Sequence, residues 1–455
     1  MDNDLFPYQQ EGARWLLDPL APNKFRLLAD EMRLGKTAQV LEAINLDTSI
    51  SRVLVVCPAI ARPVWEAERE TFSRRTYHIS VVSYDSTFQK GSKKLQPKKE
   101  LLQPWDLLVL DECHYLANPD TARTRVSYLH LAPYAKRVWC LSGTPARNHN
   151  GDMYTFLRAA GVITMICSAF AARYCVIRHT VYGDQIVGSQ RTDELKTLLA
   201  PHCLRRRKAD VLPQLPPISF HHTPVEAGLV DVKRWYPEIY LGMTDLETVK
   251  TQVAQEIATI DAMARTMGGE TDDFAKALSA LQARTNASRR WTELQKCMPV
   301  AEMITDELDS GAYEKIVIFC WHANAVEEMW YQLQPFNPVR VWGATSDRNR
   351  RKAEREFQND PKCRVFIGNI QAAGVAINLN AAHEVAFLGS SYVPSDNAQA
   401  AMRCHDVRQL HPVRVRFFYI PGTTDEKVQK ILKRKTRDLV QLFDDPKPVD
   451  IFAED

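Results

Sequence analysis

The stretch from Ala29 to Gln39, ADEMRLGKTAQ, holds residues whose types and spacing could handle a triphosphate. Gly35 lets the backbone pass close to an anion, Lys36 supplies a point charge, and the Thr37 hydroxyl can reach a magnesium ion where a helix begins. The simple phosphate-loop pattern has Gly six positions before the Lys, and this chain has Asp30 there. A second chemical feature is the acid pair Asp111-Glu112, which follows the apolar run Leu107-Leu108-Val109-Leu110. A buried strand ending in two acids suits triphosphate hydrolysis: Asp111 would hold the metal through water, and Glu112 would orient or deprotonate the attacking water. Either feature alone arises by chance. Together, with room between them for two βα units, they point to nucleotide hydrolysis.

Elements must bring these residues together. Arg52–Pro58 (RVLVVCP), Val81–Asp85 and Val138–Leu141 read as further short strands of a buried parallel sheet, and Ala59–Trp65 turns into a helix carrying Arg62. Ligands of such a sheet gather at the carboxyl ends of its strands, so the residues just past these runs are placed to touch substrate. One of those tips, Ser142-Gly143-Thr144-Pro145, is a hydroxyl-rich turn able to sense a γ-phosphate and relay its presence by hydrogen bonds. Ahead of the phosphate loop lies Phe6-Pro7-Tyr8-Gln9-Gln10. There the Tyr8 ring can stack on a base and the Gln9 amide can pair with an adenine edge, the alternative being a capped surface helix with a buried tyrosine.

With 455 residues, 45% of them hydrophobic and 25% charged, the chain suits two or three soluble domains. A net charge of +3 means that any nucleic-acid contact rests on local basic patches. The ten cysteines form no Cys-x-x-Cys pair and no zinc-spaced cluster, which predicts reduced buried thiols and no zinc. MDNDLF is not a signal peptide and no apolar run reaches membrane-spanning length, so a cytoplasmic protein without membrane attachment is expected.

The ordered series FPYQ, ADEMRLGKT, VVCPA, VSYD, LDECH and LSGTPARN resembles the motifs of the Swi/Snf family of superfamily-two DNA translocases. The likeness continues through Phe170–Cys175 (FAARYC) and Leu204–Leu212 (LRRRKADVL), the latter most similar to the annealing-helicase, fork-remodelling branch. Lys315–Cys320 with Trp321-His322 resembles the opening of a second motor lobe, and Gly343-Ala344-Thr345 with Arg350 and Phe357 fits its next strand and helix. Asn369–Leu379 looks like the motif that touches both DNA backbone and nucleotide. Val385-Ala386-Phe387, Tyr392-Val393-Pro394, Gln399 and Arg403 match the strand and final motif that follow, and Phe417–Glu426 with the basic run Lys430–Arg437 is similar to the family's bracing segment.

This resemblance implies an α/β fold of two RecA-like, doubly wound parallel-sheet lobes with a helical insertion between them. The expected bounds are 1–217 for the ATP-binding lobe, 218–295 for a helical protrusion or linker, 296–440 for the second lobe with its brace, and 441–455 for an acidic tail. Within the protrusion, Leu246, Val249, Val253, Ile257 and Ile260 form one apolar stripe, Gly268-Gly269 stops that helix, and a second begins near Asp273. The cofactors implied are ATP and Mg2+. ATP would be bound by Tyr8, Gln9, Met32, Arg33, Leu34, Gly35, Lys36, Thr37, Ala38, Gln399 and Arg403, and the metal by Thr37 and Asp111. Lys36, Asp111, Glu112 and Arg403 would be catalytic, while His114, Ser142, Thr144 and Gly374 would couple the cycle to motion. Arg62, Arg205, Arg206 and Gln371 would contact DNA, double-stranded or branched, and a separate targeting protein is a further partner the reading admits. The arginine-rich run Arg348–Arg355 reads as a solvated helix face.

Three positions depart from the family's pattern. Arg33 and Ala376 stand where glycine is usual, and Asp406 stands where a second arginine is usual, leaving Arg403 as the expected finger and Arg408 as its substitute. The function expected is DNA-stimulated ATP hydrolysis driving translocation or remodelling without obligatory strand separation. Its rivals are an RNA or DNA strand-separating helicase and a nucleotide-gated DNA-binding protein with little turnover. No nuclease, reader or partner domain is legible, and so bare a motor suggests a bacterial, archaeal or viral source.

Overall fold

The structure is a computed structural model, and it describes residues 5–89, 95–180, 183–228, 271–373, 377–426 and 428–432. The chain forms two compact units that part between Leu215 and Pro216.

In the first unit, five strands alternate with helices: β1 (Phe25–Leu28), β2 (Arg52–Cys57), β3 (His78–Ser83), β4 (Trp105–Asp111) and β5 (Ala135–Leu141). A two-stranded antiparallel ribbon follows, β6 (Cys175–Thr180) with β7 (Gly183–Ser189), and then the short β8 (Cys203–Leu204). The main sheet has the order β3-β2-β4-β5-β1-β8 with every pairing parallel. Alternate residues feed two cores. Leu27, Leu54, Val56, Leu108, Leu110 and Val138 pack on one face, and Leu28, Val53, Val55, Leu107, Val109 and Trp139 on the other. A strand covered on both sides must be apolar at every position, which is why these segments read as unbroken hydrophobic runs rather than alternating ones. The helices that matter for the site are α1 (Pro7–Leu16), α2 (Lys36–Leu46) and α3 (Arg62–Phe72).

The second unit repeats the plan with β9 (Ile218–Pro224), β10 (Ile316–Cys320), β11 (Val339–Val341), β12 (Val365–Asn369), β13 (Glu384–Phe387) and β14 (Val413–Tyr419). Its order is β11-β12-β10-β13-β14-β9, again all parallel. Ile316, Ile318, Val365, Ile367 and Ala386 enter one core, and Val317, Phe319, Phe366, Val385 and Phe387 the other. Two doubly wound parallel sheets are the fold class expected. The helix Asp347–Asn359, capped by Ser346, buries Ala353 and Phe357 and exposes Arg348, Arg351 and Arg355 on a solvated face, whereas the Arg350 side chain is mostly covered and pairs with Asp347 at 3.1 Å.

The described ends of the stretch expected as a helical linker over 218–295 are built differently. Ile218–Pro224 is not linker but β9, which pairs along its whole length with β14. A 39-residue helix, Thr271–Asp309, runs straight through the expected boundary at 295, and its side chains are buried in the second unit's core from Trp291 onward. Pro299 sits inside this helix and can give no N–H to the carbonyl of Gln295. The N–H of Gly228 donates to that carbonyl instead, at 2.9 Å. A Cβ on Gly228 would stand 2.8 Å from the Pro299 ring and 3.2 Å from the Gln295 oxygen, so only glycine lets the crossing chain come this close. The apolar stripe over 246–260, Gly268-Gly269, Gly374, Ala376 and residues 433–455 lie outside the described residues. Among those described, no helix is long and apolar enough to cross a membrane.

Candidate nucleotide-binding site

Three adjacent strands of the first sheet end level with one another, because Leu28 pairs with Leu141 and Leu141 with Asp111. The phosphate loop after β1, the acid pair at the end of β4 and the Ser-Gly-Thr turn after β5 therefore rise from one edge of the sheet, the edge where such folds hold ligands. Gly35 is the N-cap of α2 at φ 70°, a left-handed conformation that suits glycine. A Cβ there would also fall 2.3 Å from the Gln9 amide nitrogen. Arg33 takes a φ of 69° in the same loop without that freedom. Lys36, half-buried, curls back so that its ammonium donates to the carbonyls of Asp30 at 2.8 Å and Glu31 at 3.2 Å. Desolvation draws its pKa down, while Glu112, Asp30 and Asp111 pull the other way. A cation held by backbone carbonyls among three acids is poised to exchange them for phosphate oxygens.

Asp111 is nearly spent as an acceptor but not fully. One carboxylate oxygen takes the indole N–H of Trp65 on α3 at 2.8 Å, and the other takes the Glu112 N–H at 2.9 Å. Burial first, then the neighbouring Glu112, pushes its carboxyl up to about 7. An acid so disfavoured as an anion is a fitting ligand for a divalent cation, which would restore its charge. Each oxygen keeps a lone pair for a water of a hydrated magnesium ion, and Thr37, in the first turn of α2, offers a hydroxyl. Glu68, one turn beyond Trp65 on α3, is likewise raised to about 7 by burial and by Asp111, with Arg33 opposing. It is a further acid of this site that the motifs did not single out.

Glu112 itself sits at φ 50°, ψ 50°, a left-handed backbone that a non-glycine residue adopts only under constraint. From it a line of contacts runs to the third strand tip. His114 Nδ1 is 3.2 Å from the Glu112 carboxylate and 3.0 Å from the Ser142 hydroxyl, and the Thr144 N–H donates to that same hydroxyl at 3.1 Å. His114 and Ser142 are buried. The expected coupling residues of this lobe are thus in contact, and the acid that would face the attacking water is joined to the turn on the neighbouring strand.

Asp30 explains its own departure from the simple loop pattern. It is fully buried, and its carboxylate accepts from Gln39 at 2.9 Å and from the Arg206 guanidinium at 3.1 and 2.5 Å. Arg206 also donates to the Gln39 side-chain oxygen at 2.7 Å and to the carbonyl of Tyr8. Arg205 donates to the carbonyls of Ala29 at 2.9 Å and Gly143 at 3.3 Å. Both arginines, expected on DNA phosphates, are internal ties of the first unit, because a buried carboxylate and buried carbonyls need donors more than the solvent does. Arg62, at the start of α3, is exposed and remains available to an external anion.

The aromatic and amide ahead of the loop are also engaged within the protein. Tyr8 is 5% exposed, lies under the Arg206 guanidinium at 5.5 Å, and has its hydroxyl pushed up to about 12 by burial. It is a core residue rather than an open stacking platform. Gln9 caps α1 by accepting the Phe6 N–H at 3.0 Å and donates to the Leu34 carbonyl at 3.3 Å, tying α1 to the phosphate loop. Met32, Arg33 and Thr37 are half-buried in or beside the loop, whereas Leu34 and Ala38 are buried beneath it.

In the second unit, Gln399 lies half-buried on the helix Pro394–Ala401, and Arg403 follows two residues after that helix. The Arg403 carbonyl accepts the Leu379 N–H at 3.1 Å. Asp406, the residue that would repel a phosphate, points inward: it is 5% exposed and accepts from Asn380 at 3.2 Å and from Arg408 at 2.9 and 2.6 Å. Arg408 is thereby bound to its neighbour. Gln371 is exposed just past β12, where the Asn369 amide reaches the carbonyl of Trp321 at the tip of β10.

Comparison with known proteins matches residues 8–99 and 69–288 to the SNF2-related domain and residues 299–408 to the helicase conserved C-terminal domain. The chain is 29% identical over 460 residues to SWI/SNF-related matrix-associated actin-dependent regulator of chromatin subfamily A-like protein 1 of Xenopus laevis, covering 96% of this chain and 44% of that protein. It is 25% identical to the DNA annealing helicase and endonuclease ZRANB3 of Homo sapiens, covering 95% and 40%. It therefore spans less than half the length of these curated relatives. Among solved structures, the Sulfolobus solfataricus SWI2/SNF2 ATPase core in complex with dsDNA is 22% identical, covers 94% of this chain and 90% of its own, and gives a TM-score of 0.42. With its first unit matched almost end to end and its second carrying the helicase C-terminal domain, the chain belongs to the SNF2-related family.

Proposed function

We propose that this chain is an ATP-dependent motor that translocates along or remodels duplex or branched DNA, its hydrolysis stimulated by DNA. The observation that carries the reading is the convergence, on one sheet edge, of a lysine-bearing phosphate loop, an acid pair and a hydroxyl turn joined by hydrogen bonds. Lys36 exchanges its two carbonyls for β- and γ-phosphate oxygens. Thr37 and Asp111 would hold a magnesium ion, which when bound would neutralise charge on the phosphates. Glu112 orients the attacking water and takes its proton, and His114 with Ser142 passes the state of that carboxylate to Thr144. Arg403 offers its guanidinium to the charge that develops on the transferring phosphoryl group.

DNA as partner is supported by family membership and by two exposed polar side chains, Arg62 at the start of α3 and Gln371 just past β12. Contacts to the phosphate backbone would let such a motor move without reading sequence. The test is phosphate release by the purified chain on linear duplex, forked and single-stranded DNA, with Lys36→Ala as control. Stimulation by duplex or forked DNA that disappears in Lys36→Ala is expected, whereas identical rates with and without every DNA would remove the DNA part of the reading.

A further inference from the structure

The contacts that hold the phosphate loop lead away from it, into the chain that leaves the first unit. β8 runs beside β1 with Leu28 opposite Leu204, and past the end of the sheet the two chains stay joined. The Ala29 N–H donates to Leu204 O at 2.7 Å, the Glu31 N–H to Arg206 O at 2.9 Å, and the Arg206 N–H to the Asp30 carboxylate at 3.1 Å. Side chains extend the join, since Arg206 grips Asp30 and the Glu31 carboxylate accepts the Lys208 N–H at 2.8 Å. The chain then continues to Leu215, and the second unit starts at Pro216.

Asp30 and Glu31 thus face two ways. Their carbonyls hold the Lys36 ammonium, and their side chains hold Arg206 and Lys208. We propose that these two residues are a relay: Arg206 positions the phosphate loop through Asp30, and Glu31 transmits the loop's occupancy to residues 204–212 and so to the link with the second unit. The inference rests on the reading that Lys36 binds a triphosphate. When the ammonium leaves the two carbonyls for phosphate, the peptide units at 30 and 31 lose their cation and readjust. They cannot do so independently of the exit segment, because Asp30 is wholly buried and Arg206 is its charged partner. The relay lies on the opposite flank of the loop from the Glu112–His114–Ser142 line, and it gives the Asp at position 30 a task beyond packing.

Hydrogen exchange of the full chain, followed by mass spectrometry with and without Mg2+ and a non-hydrolysable ATP analogue, tests this. In the parent protein the analogue should alter exchange in peptides covering both 29–37 and 204–212. In Glu31→Ala the Lys208 amide should exchange about tenfold faster, the factor for one hydrogen bond to a charged acceptor, and the nucleotide response of 204–212 should vanish while that of 29–37 persists. Glu31→Gln, which keeps an acceptor, should restore it. Arg206→Lys, with the charge but not the fork, should speed exchange in 29–35 without nucleotide, and unchanged exchange there would deny Arg206 its positioning role. A parent response confined to 29–37, or an undiminished response of 204–212 in Glu31→Ala, overturns the relay and leaves nucleotide binding standing. No response in either peptide, with no heat of analogue binding, removes the nucleotide reading and the relay together.

Discussion

Removing one oxygen atom, in Ser142→Ala, should separate nucleotide binding from hydrolysis. The Ser142 hydroxyl is fully buried and serves two partners, His114 Nδ1 at 3.0 Å and the Thr144 N–H at 3.1 Å. Each neutral hydrogen bond contributes ~1 kcal/mol, so the line from Glu112 to Thr144 loses ~2 kcal/mol, and the Thr144 N–H is left without that acceptor. Only the part of this loss that reaches Glu112 through His114, 3.2 Å away, affects the chemical step. The His114 bond carries ~1 kcal/mol of it, so at a factor of ten for each ~1.4 kcal/mol kcat should fall by about 5-fold, and by about 30-fold at most if the whole loss is felt. KM for ATP should hold within about twofold, because the Ser142 hydroxyl bonds to His114 and Thr144 while the Lys36 ammonium bonds to Asp30 and Glu31, leaving uniform binding unchanged. Steady-state phosphate release at saturating ATP, with and without duplex DNA, reads both constants, and a thermal melt checks that the variant is folded. A kcat within twofold of the parent in both conditions would refute the idea that the hydroxyl links the acid to the turn.

Other consequences of the geometry are as direct. Arg206→Met should cost ~3–5 kcal/mol of stability in urea unfolding, the penalty for stranding a buried partner, while leaving the salt dependence of DNA binding alone. Arg62→Ala should do the converse and lower the slope of log affinity against log salt by about one at an unchanged melting temperature; a reversal of the two outcomes would return Arg206 to the DNA. Arg403→Ala should depress hydrolysis by about three to five powers of ten, whereas Arg408→Ala, whose guanidinium is bound to Asp406, should stay within about threefold of the parent. The opposite ranking would reassign the finger. Burial pushes the Asp106 carboxyl up, but the Lys136 ammonium and the donors of Ser51 and Arg52 outweigh it and hold the group well below the usual carboxylate range. Its folded pKa lies below the unfolded one, so its stabilisation is complete above about pH 4 and is lost as pH falls further. Asp106→Asn should therefore cost ~1–3 kcal/mol at neutral pH and flatten the acid limb of the stability profile, and an acid limb as steep as the parent's would count against this assignment.

The strands that carry chemistry were legible because they are covered on both faces, which makes them short unbroken apolar runs such as Leu107–Leu110. Residues at their tips, Lys36, Asp111, Glu112 and Ser142, could then be placed by adjacency alone. Pairings across long separations could not be placed in this way. Asp30 and Arg206 stand 176 residues apart, and nothing local in LRRRK distinguishes an arginine aimed at a buried carboxylate from one aimed at DNA. β8 has two residues and β9 is half-buried at the sheet edge, so neither shows the hydrophobic signal of a central strand. Of the two readings open for Tyr8, a base-stacking ring or a buried tyrosine, the cluster of Tyr8, Leu34 and Leu212 has the buried one, which a sequence cannot decide because both place an aromatic beside the phosphate loop.

Because Pro299 leaves the Gln295 carbonyl without a helical donor, the residue at 228 must both approach the helix closely and donate to it. The segment ending at Gly228 is fastened to Gln295 by one bond and, through Val225, to Tyr419 by another, both at 2.9 Å. The described chain that reaches Gly228 and the helix it crosses thus belong to one body, the second unit. A side chain at 228 would push this segment off the helix and leave the Gln295 oxygen without its donor, so one residue lacking a Cβ keeps the chain after β9 seated there.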